Sequence, residues 1–82
     1  MNRDVFDALM NQIVKALIER GYNPYAQIQG YLTRNELTYI TSYNGARSTM
    51  KTLDRSMVWD YLKHWEEYQD EKWRVDFVQS HQ

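Results

Sequence analysis

Apolar residues recur at helical spacing from the start of the chain. Phe6, Leu9, Met10, Ile13, Ala16 and Leu17 fall on one stripe between acids, amides and a lysine. That spacing predicts an amphipathic helix over about Asp4 to Arg20. Asp4 and Asp7 suit the positive end of its dipole and Arg20 the negative end. Gly21 fits the left-handed position that closes a helix. Asn23 is a good N-cap, and Pro24 suits the first position of the next helix, where a backbone N–H has no intrahelical partner. This second helix is expected over about Pro24 to Leu32, with Ile28, Tyr31 and Leu32 on its apolar side. Gly30 in its interior costs about 1 kcal/mol relative to Ala. It marks either the close approach of another helix or a simple weak point.

Past Leu32 the period is lost. "TRNE" from Thr33 reads as a polar turn. Leu37 to Tyr43, "LTYITSY", is β-branched and aromatic but brief, and reads as extended chain with the option of one strand of a small ribbon. Ser42 is placed to cap a third helix over about Tyr43 to Thr52, with Ala46, Met50 and Leu53 facing inward. Asp54 or Ser56 then caps a fourth helix from about Met57, whose stripe is Val58, Tyr61, Leu62 and Trp65 and could extend to Tyr68. "WEEYQDEK" is highly charged and continues as helix. Trp73 to Gln79 alternates as a strand would, able to pair with Thr38 to Thr41, yet also fits a longer helix. The expected fold is mostly α: a small compact bundle of about four to five helices, with an optional short β-ribbon and a helix-turn-helix-like centre.

Composition narrows the function. With 82 residues the chain makes one small domain (1–82), whose modest core would gain from dimerisation. The net charge of −1 argues against a strongly basic nucleic-acid module and a polybasic membrane anchor. No Cys is present, which removes disulfides, thiolate nucleophiles and Cys-based metal sites. No apolar run approaches the ~20 residues that span a bilayer. "MNRDVFDALMNQ" lacks the apolar centre of a signal peptide, so a cytoplasmic location is expected. The three Trp and seven Tyr are more than a purely solvated helical domain needs and suit a core or an interface.

Candidate chemistry is sparse. His64 has Asp60, Glu67 and Tyr68 at helical spacing, which suits either a metal site or, more simply, a solvated helix face. Glu66, Glu67, Asp70 and Glu71 alternate with Lys63, Lys72 and Arg74, so pairing across turns is favoured over acid–base chemistry. No Ser–His–Asp order, phosphate loop or HExxH occurs. The expectation is no enzyme, no cofactor and no metal. Arg47, Lys51 and Arg55 are spaced four apart and form one ridge if the third helix continues. The ridge is either a contact for phosphate or an acidic partner, or ordinary solubilising charge, with Arg55 tied to Asp54 or Asp60. "SYNGARSTMKTLDR" also resembles a helix-turn-helix, with Asn44, Arg47, Ser48 and Lys51 near base edges or phosphates. The near-neutral charge weakens that alternative.

"ALIERGYNPYAQIQGYL" followed by "TYITSYNGARSTMKTLDR" resembles the IreB/ReoM family of small regulatory phosphoproteins of Gram-positive bacteria. The family pattern is similar to L-x-x-K-G-Y-N-P-x-x-Q-I-x-G-Y-L, a short turn, then Y-I-x-x-x-x-x-A-R-x-x-I-R-x-L-x-R. The matches are Leu17, Gly21, Tyr22, Asn23, Pro24, Gln27, Ile28, Gly30, Tyr31 and Leu32, then Tyr39, Ile40, Ala46, Arg47, Leu53 and Arg55, with Met50 and Lys51 as near equivalents. They span about Ala16 to Leu62 and leave a Trp-rich C-terminal extension from about Trp65 to Gln82.

The resemblance implies a small, non-enzymatic helical homodimer acting downstream of a membrane Ser/Thr kinase with PASTA repeats, in cephalosporin tolerance. It implies control of the Clp-protease degradation of MurA, relieved by phosphorylation. It places the partner surface, for a Clp component or a MurA-like enzyme, at Arg47, Lys51 and Arg55. Replacing Arg47 and Arg55 together by Ala is expected to abolish partner capture and leave helicity intact. Gly21, Tyr22, Asn23, Pro24, Gln27, Gly30, Tyr31 and Ala46 carry the structural motif. The family's phosphorylated Thr lies ahead of the first helix, whereas here no Thr precedes Thr33. Thr41, Ser42, Thr49 and Thr52 are candidate replacement acceptors or, more simply, ordinary surface hydroxyls. The turn that usually reads Ser-Gly-Asp-Pro is "TRNE" with Leu37, and the usual acidic start of the last helix is Ser56 and Met57.

Overall fold

The computed structural model describes residues 1–65. Helix α1 is Arg3–Glu19, α2 is Pro24–Arg34, α3 is Ala46–Thr52 and α4 is Arg55–Lys63. The acidic run from Glu66 and the segment Trp73 to Gln79 lie outside the described residues.

The α1 stripe forms the centre of the core. Phe6, Met10, Ile13, Ala16 and Leu17 are all buried, and α1 packs most extensively on α3. Its end has the expected chemistry. Gly21 takes φ 81°, the Gly21 N–H donates to Ile18 O and the Tyr22 N–H to Leu17 O, both at 2.9 Å. These two bonds satisfy carbonyls that the helix leaves open. Two residues later Asn23 caps α2, its Oδ1 accepting from the Ala26 N–H at 3.1 Å, with Pro24 at the first helical position. Arg20 stacks on Tyr43, 5.4 Å from its ring centre. Leu9, the sixth member of the stripe, is half-buried.

α2 packs on α4 and on a 3-10 turn, Leu37–Tyr39. That turn corrects the extended reading of residues 37–43, and no strand is present among the described residues. A second 3-10 turn, Tyr43–Gly45, precedes α3, with Asn44 and Gly45 both at positive φ. The third helix therefore begins at Ala46 rather than Tyr43, because two left-handed residues cannot continue a right-handed helix. Ser42 makes no side-chain cap bond. Thr41 Oγ1 instead accepts from the Tyr43 N–H at 3.2 Å.

Gly30 is a point of close approach, but from the first 3-10 turn and not from a helix. A Cβ there would sit 2.5 Å from Tyr39 Cδ1 and 2.6 Å from Cε1. Overpacking of this kind costs about 1–3 kcal/mol, against a propensity gain of about 1 kcal/mol for Gly→Ala. Gly30→Ala is thus expected to destabilise, by up to about 2 kcal/mol. Combined with Tyr39→Ala, the same change should become stabilising, by up to about 1 kcal/mol. Urea unfolding of the four proteins in this cycle reads the reversal of sign; failure to reverse would locate the clash elsewhere.

α4 starts where Asp54 caps it, not at Met57. Asp54 Oδ1 accepts from the Ser56 N–H at 2.7 Å and from Ser56 Oγ at 2.6 Å. The Ser56 hydroxyl, then the Ser56 and Met57 N–H groups, hold the Asp54 carboxyl below its ordinary value. A depressed carboxyl contributes stability above its unfolded pKa and loses it as pH falls through the lower folded value. Acidification should therefore loosen the start of α4, read as faster exchange of the Ser56 amide. Ser56→Ala should move the Asp54 titration back up.

Candidate partner-binding surface

The three basic residues singled out by spacing do not make one ridge. Arg47 and Lys51 lie on α3, which ends at Thr52; Leu53 breaks to extended backbone and Arg55 opens α4. Their environments differ too. Lys51 is exposed, whereas Arg47 and Arg55 are half-buried.

Both arginines are bonded to the backbone of other segments. Arg47 Nε donates to Ile40 O at 2.9 Å, and Ile40 is fully buried. Arg55 Nη2 donates to Leu32 O at 2.9 Å, and its guanidinium lies 5.0 Å from the centre of the Tyr31 ring. Leu32 belongs to the last turn of α2, whose carbonyls lack intrahelical partners and carry the negative end of the dipole. A cation at the first position of α4 opposes that helix's own dipole. Here the charge serves the end of α2, which explains an Arg at the position where the family pattern leads into acids. Arg55 turns to this carbonyl rather than to Asp54 or Asp60; Asp60 Oδ2 instead accepts from Arg3 Nη1 at 3.2 Å. Because both guanidinium bonds brace the fold, loss of structure is the expected result of replacing Arg47 and Arg55 together by Ala.

Gln27 completes the pattern: its Nε2 donates to Tyr39 O at 2.8 Å. Side chains from α2, α3 and α4 thus each claim one carbonyl, and two of the three lie in the segment joining α2 to α3. The remaining motif residues hold shape. Gly21 and Asn23–Pro24 make the α1–α2 joint, Tyr31 and Ala46 are buried, and Tyr22 is about half exposed, at 48 %.

The helix-turn-helix reading loses its geometry. Residues 35–45 separate α2 from α3, well beyond the 3–4-residue turn of that motif (roughly), and Arg47 is committed to Ile40. His64 Nδ1 lies 3.5 Å from Asp60 Oδ1 and 2.9 Å from Asp60 O. Glu67 and Tyr68, the other members of that set, lie outside the described residues. Among the described residues no group of three or more His, Cys, Asp or Glu is arranged to hold a metal ion. Of the replacement acceptors, Thr41 is occupied by the Tyr43 N–H and Thr52 Oγ1 donates to Thr49 O at 2.7 Å. Ser42 is exposed.

One surface escaped the apolar pattern. Trp59 stands off the Val58–Tyr61–Leu62 stripe and is 44 % exposed. With Tyr25 and Gln29 of α2 it lines a groove between α2 and α4. The signal was there in the position of a Trp one residue out of phase with a helical stripe. No helix among the described residues is long and apolar enough to cross a membrane.

Gly21, Asn23, Pro24, Gln27, Arg47 and Arg55, which carry the sequence pattern, also carry the joints of this fold. A family model described as "IreB regulatory phosphoprotein" matches residues 1–65. The match begins well before Ala16 and runs through all four helices of the described residues. The chain belongs to the IreB regulatory phosphoprotein family.

Proposed function

We propose that this chain is a non-enzymatic, cytoplasmic regulator that works by binding other proteins as a homodimer, in PASTA-kinase-linked control of cell-wall synthesis. In this reading it influences the Clp-dependent degradation of a MurA-type enzyme. Family membership over residues 1–65 carries the proposal. The partner surface centres on Lys51 of α3, flanked by Arg47 and Arg55. Lys51 is exposed, and no hydrogen bond or ion pair among the described residues commits it to the fold, so its charge is available to an acidic partner. Kinase input falls on an exposed hydroxyl; of the four acceptors considered Ser42 and Thr52 are exposed, and the Thr52 hydroxyl is bonded to Thr49 O.

The test is a pulldown from cell extract with the native protein and with Lys51→Glu, chosen because Lys51 supports no internal bond. A surface change of this kind is expected to alter stability by no more than about 0.5 kcal/mol. A Clp component or cell-wall enzyme recovered by the native protein and lost with Lys51→Glu, at unchanged melting temperature, supports the reading. Equal recovery by both would remove Lys51 from the surface. The other reading, a small DNA-binding regulator, requires salt-dependent duplex capture that the same variant abolishes.

A further inference from the structure

Of Asn2, Asn11, Asn23, Asn35 and Asn44, only Asn44 precedes a glycine. Asn44 takes φ 52° and ψ 31°, and Gly45 takes φ 71° and ψ 14°. The Ala46 N–H donates to Tyr43 O, and the Gly45 N–H donates to Ser42 O at 3.2 Å. Tyr43 to Ala46 thus have the geometry of a type I′ turn, for which Asn-Gly is a preferred central pair. Asn44 and Gly45 are both exposed, and the space a Cβ would take on Gly45 is empty within 4 Å.

An Asn followed by glycine carries its own reaction. Hydroxide takes the Gly45 N–H proton, the nitrogen attacks Cγ of Asn44, and the side-chain amide nitrogen leaves as ammonia with a proton from water. Water then opens the five-membered imide. Opening at Cγ gives Asp; opening at the main-chain carbonyl gives isoaspartate, whose backbone runs through Cβ and Cγ. Ring closure needs the Gly45 nitrogen nearly eclipsed with Cβ about the Cα–C bond of Asn44. A ψ of 31° puts that nitrogen nearly opposite Cβ instead. The closed turn therefore cannot react, and opening has to come first. Asn35 is left-handed too, at φ 53°, but the side chain of Glu36 crowds the attacking nitrogen. Asn23 precedes Pro24, which has no N–H to lose.

We propose that Asn44 is a site of spontaneous isoaspartate formation, blocked by the closed turn and released when it opens, and that the product keeps the turn from closing again. Isoaspartate adds one main-chain carbon between Tyr43 and Gly45. Both sides of that stretch are pinned. The Tyr43 N–H donates to Thr41 Oγ1 and the Tyr43 ring lies against Arg20. Beyond the turn Ala46 is buried and Arg47 Nε holds Ile40 O at 2.9 Å. The extra atom falls inside the loop that the Arg47–Ile40 bond closes, so the modified chain gives up the turn or that bond. Each opening that ends in reaction is thereby recorded covalently. This assignment stands apart from the functional reading above, since it uses neither Lys51 nor any partner.

The test follows the full chain at mildly alkaline pH, in buffer and in guanidinium chloride. Tryptic cleavage after Arg34 and Arg47 releases one peptide that holds both Asn35 and Asn44, so fragmentation mass spectrometry compares the two sites within each sample. In denaturant, isoaspartate should accumulate at Asn44 ahead of Asn35. In buffer the Asn44 reaction should be roughly tenfold slower or more, reflecting the hydrogen bonds of the turn that must break first. Returned to buffer, the converted chain should melt below its unreacted form. Asn44→Gly, which suits the left-handed position and offers no amide to react, should keep its own melting temperature through the same incubation. Three results would overturn the proposal: equal Asn44 rates in buffer and denaturant, equal rates at Asn35 and Asn44 in denaturant, or a converted chain that melts with its unreacted form.

Discussion

Replacing Arg55 by Ala should destabilise the protein by about 2–5 kcal/mol. Two losses combine. The bond from Nη2 to Leu32 O is charge-assisted and is worth about 1.5–3 kcal/mol. The guanidinium above the Tyr31 ring adds about 0.5–2 kcal/mol. The carbonyl left behind sits on a buried residue, so the gap is poorly refilled. Arg55→Lys should recover only part of the loss, because an ammonium keeps the charge but lacks the planar group that bonds a carbonyl while stacking on a ring. Lys51→Ala is the control, expected within about 0.5 kcal/mol of the native protein. Chemical unfolding of the three variants checks the order. An Arg55→Ala midpoint equal to that of Lys51→Ala would show that the bond contributes nothing net.

Phe6→Ala should be more damaging, at about 3–5 kcal/mol. Phe6 is fully buried and meets Tyr61 edge-on, ring centres 6.2 Å apart. It is the aromatic link between the start of α1 and the end of α4. Arg3 closes over it from outside, 5.9 Å from its ring centre. A domain of this size has roughly 4–12 kcal/mol of stability in all, so the variant should lose most of its cooperative melt or melt tens of degrees lower (~4–8 °C per kcal/mol). Val5→Ala, one residue away and half exposed, should melt close to the native protein. Calorimetry on this neighbouring pair separates burial from helix propensity. Similar melting temperatures for the two would mean that α1 does not dock as described.

The regular part of this architecture was readable because its signals are local. Six apolar residues at a 3.6-residue period leave α1 little choice, and Gly21, Asn23 and Pro24 each act within a few residues of themselves. Residues 35–45 failed for the opposite reason. Their β-branched and aromatic character favours extended chain, yet the segment is shaped by distant groups: the Gln27 amide, the space left by Gly30 and the Arg47 guanidinium. Tertiary demand overrides propensity in such a short stretch. The basic ridge failed through an inconsistency visible beforehand. Asp54 as an N-cap requires that α3 has already ended, and a ridge through Lys51 and Arg55 requires that it has not. The cap is the stronger signal because it satisfies backbone N–H groups that nothing else reaches. Trp59 went unread because amphipathic reading rewards residues on the stripe and passes over a large aromatic beside it.

Gln27 and Arg47 bring one last consequence. Irregular connections between helices are usually where a chain accepts extra residues. Here the connection is fastened at Tyr39 O and Ile40 O by two different helices, with the Tyr39 ring seated on Gly30. A tag or duplicated residue inserted between Glu36 and Tyr43 would pull both carbonyls off their donors and lift the ring at once. This segment, the least regular of the described chain, is therefore its most length-intolerant, and related proteins that keep Gln27, Gly30 and Arg47 are bound to keep its length.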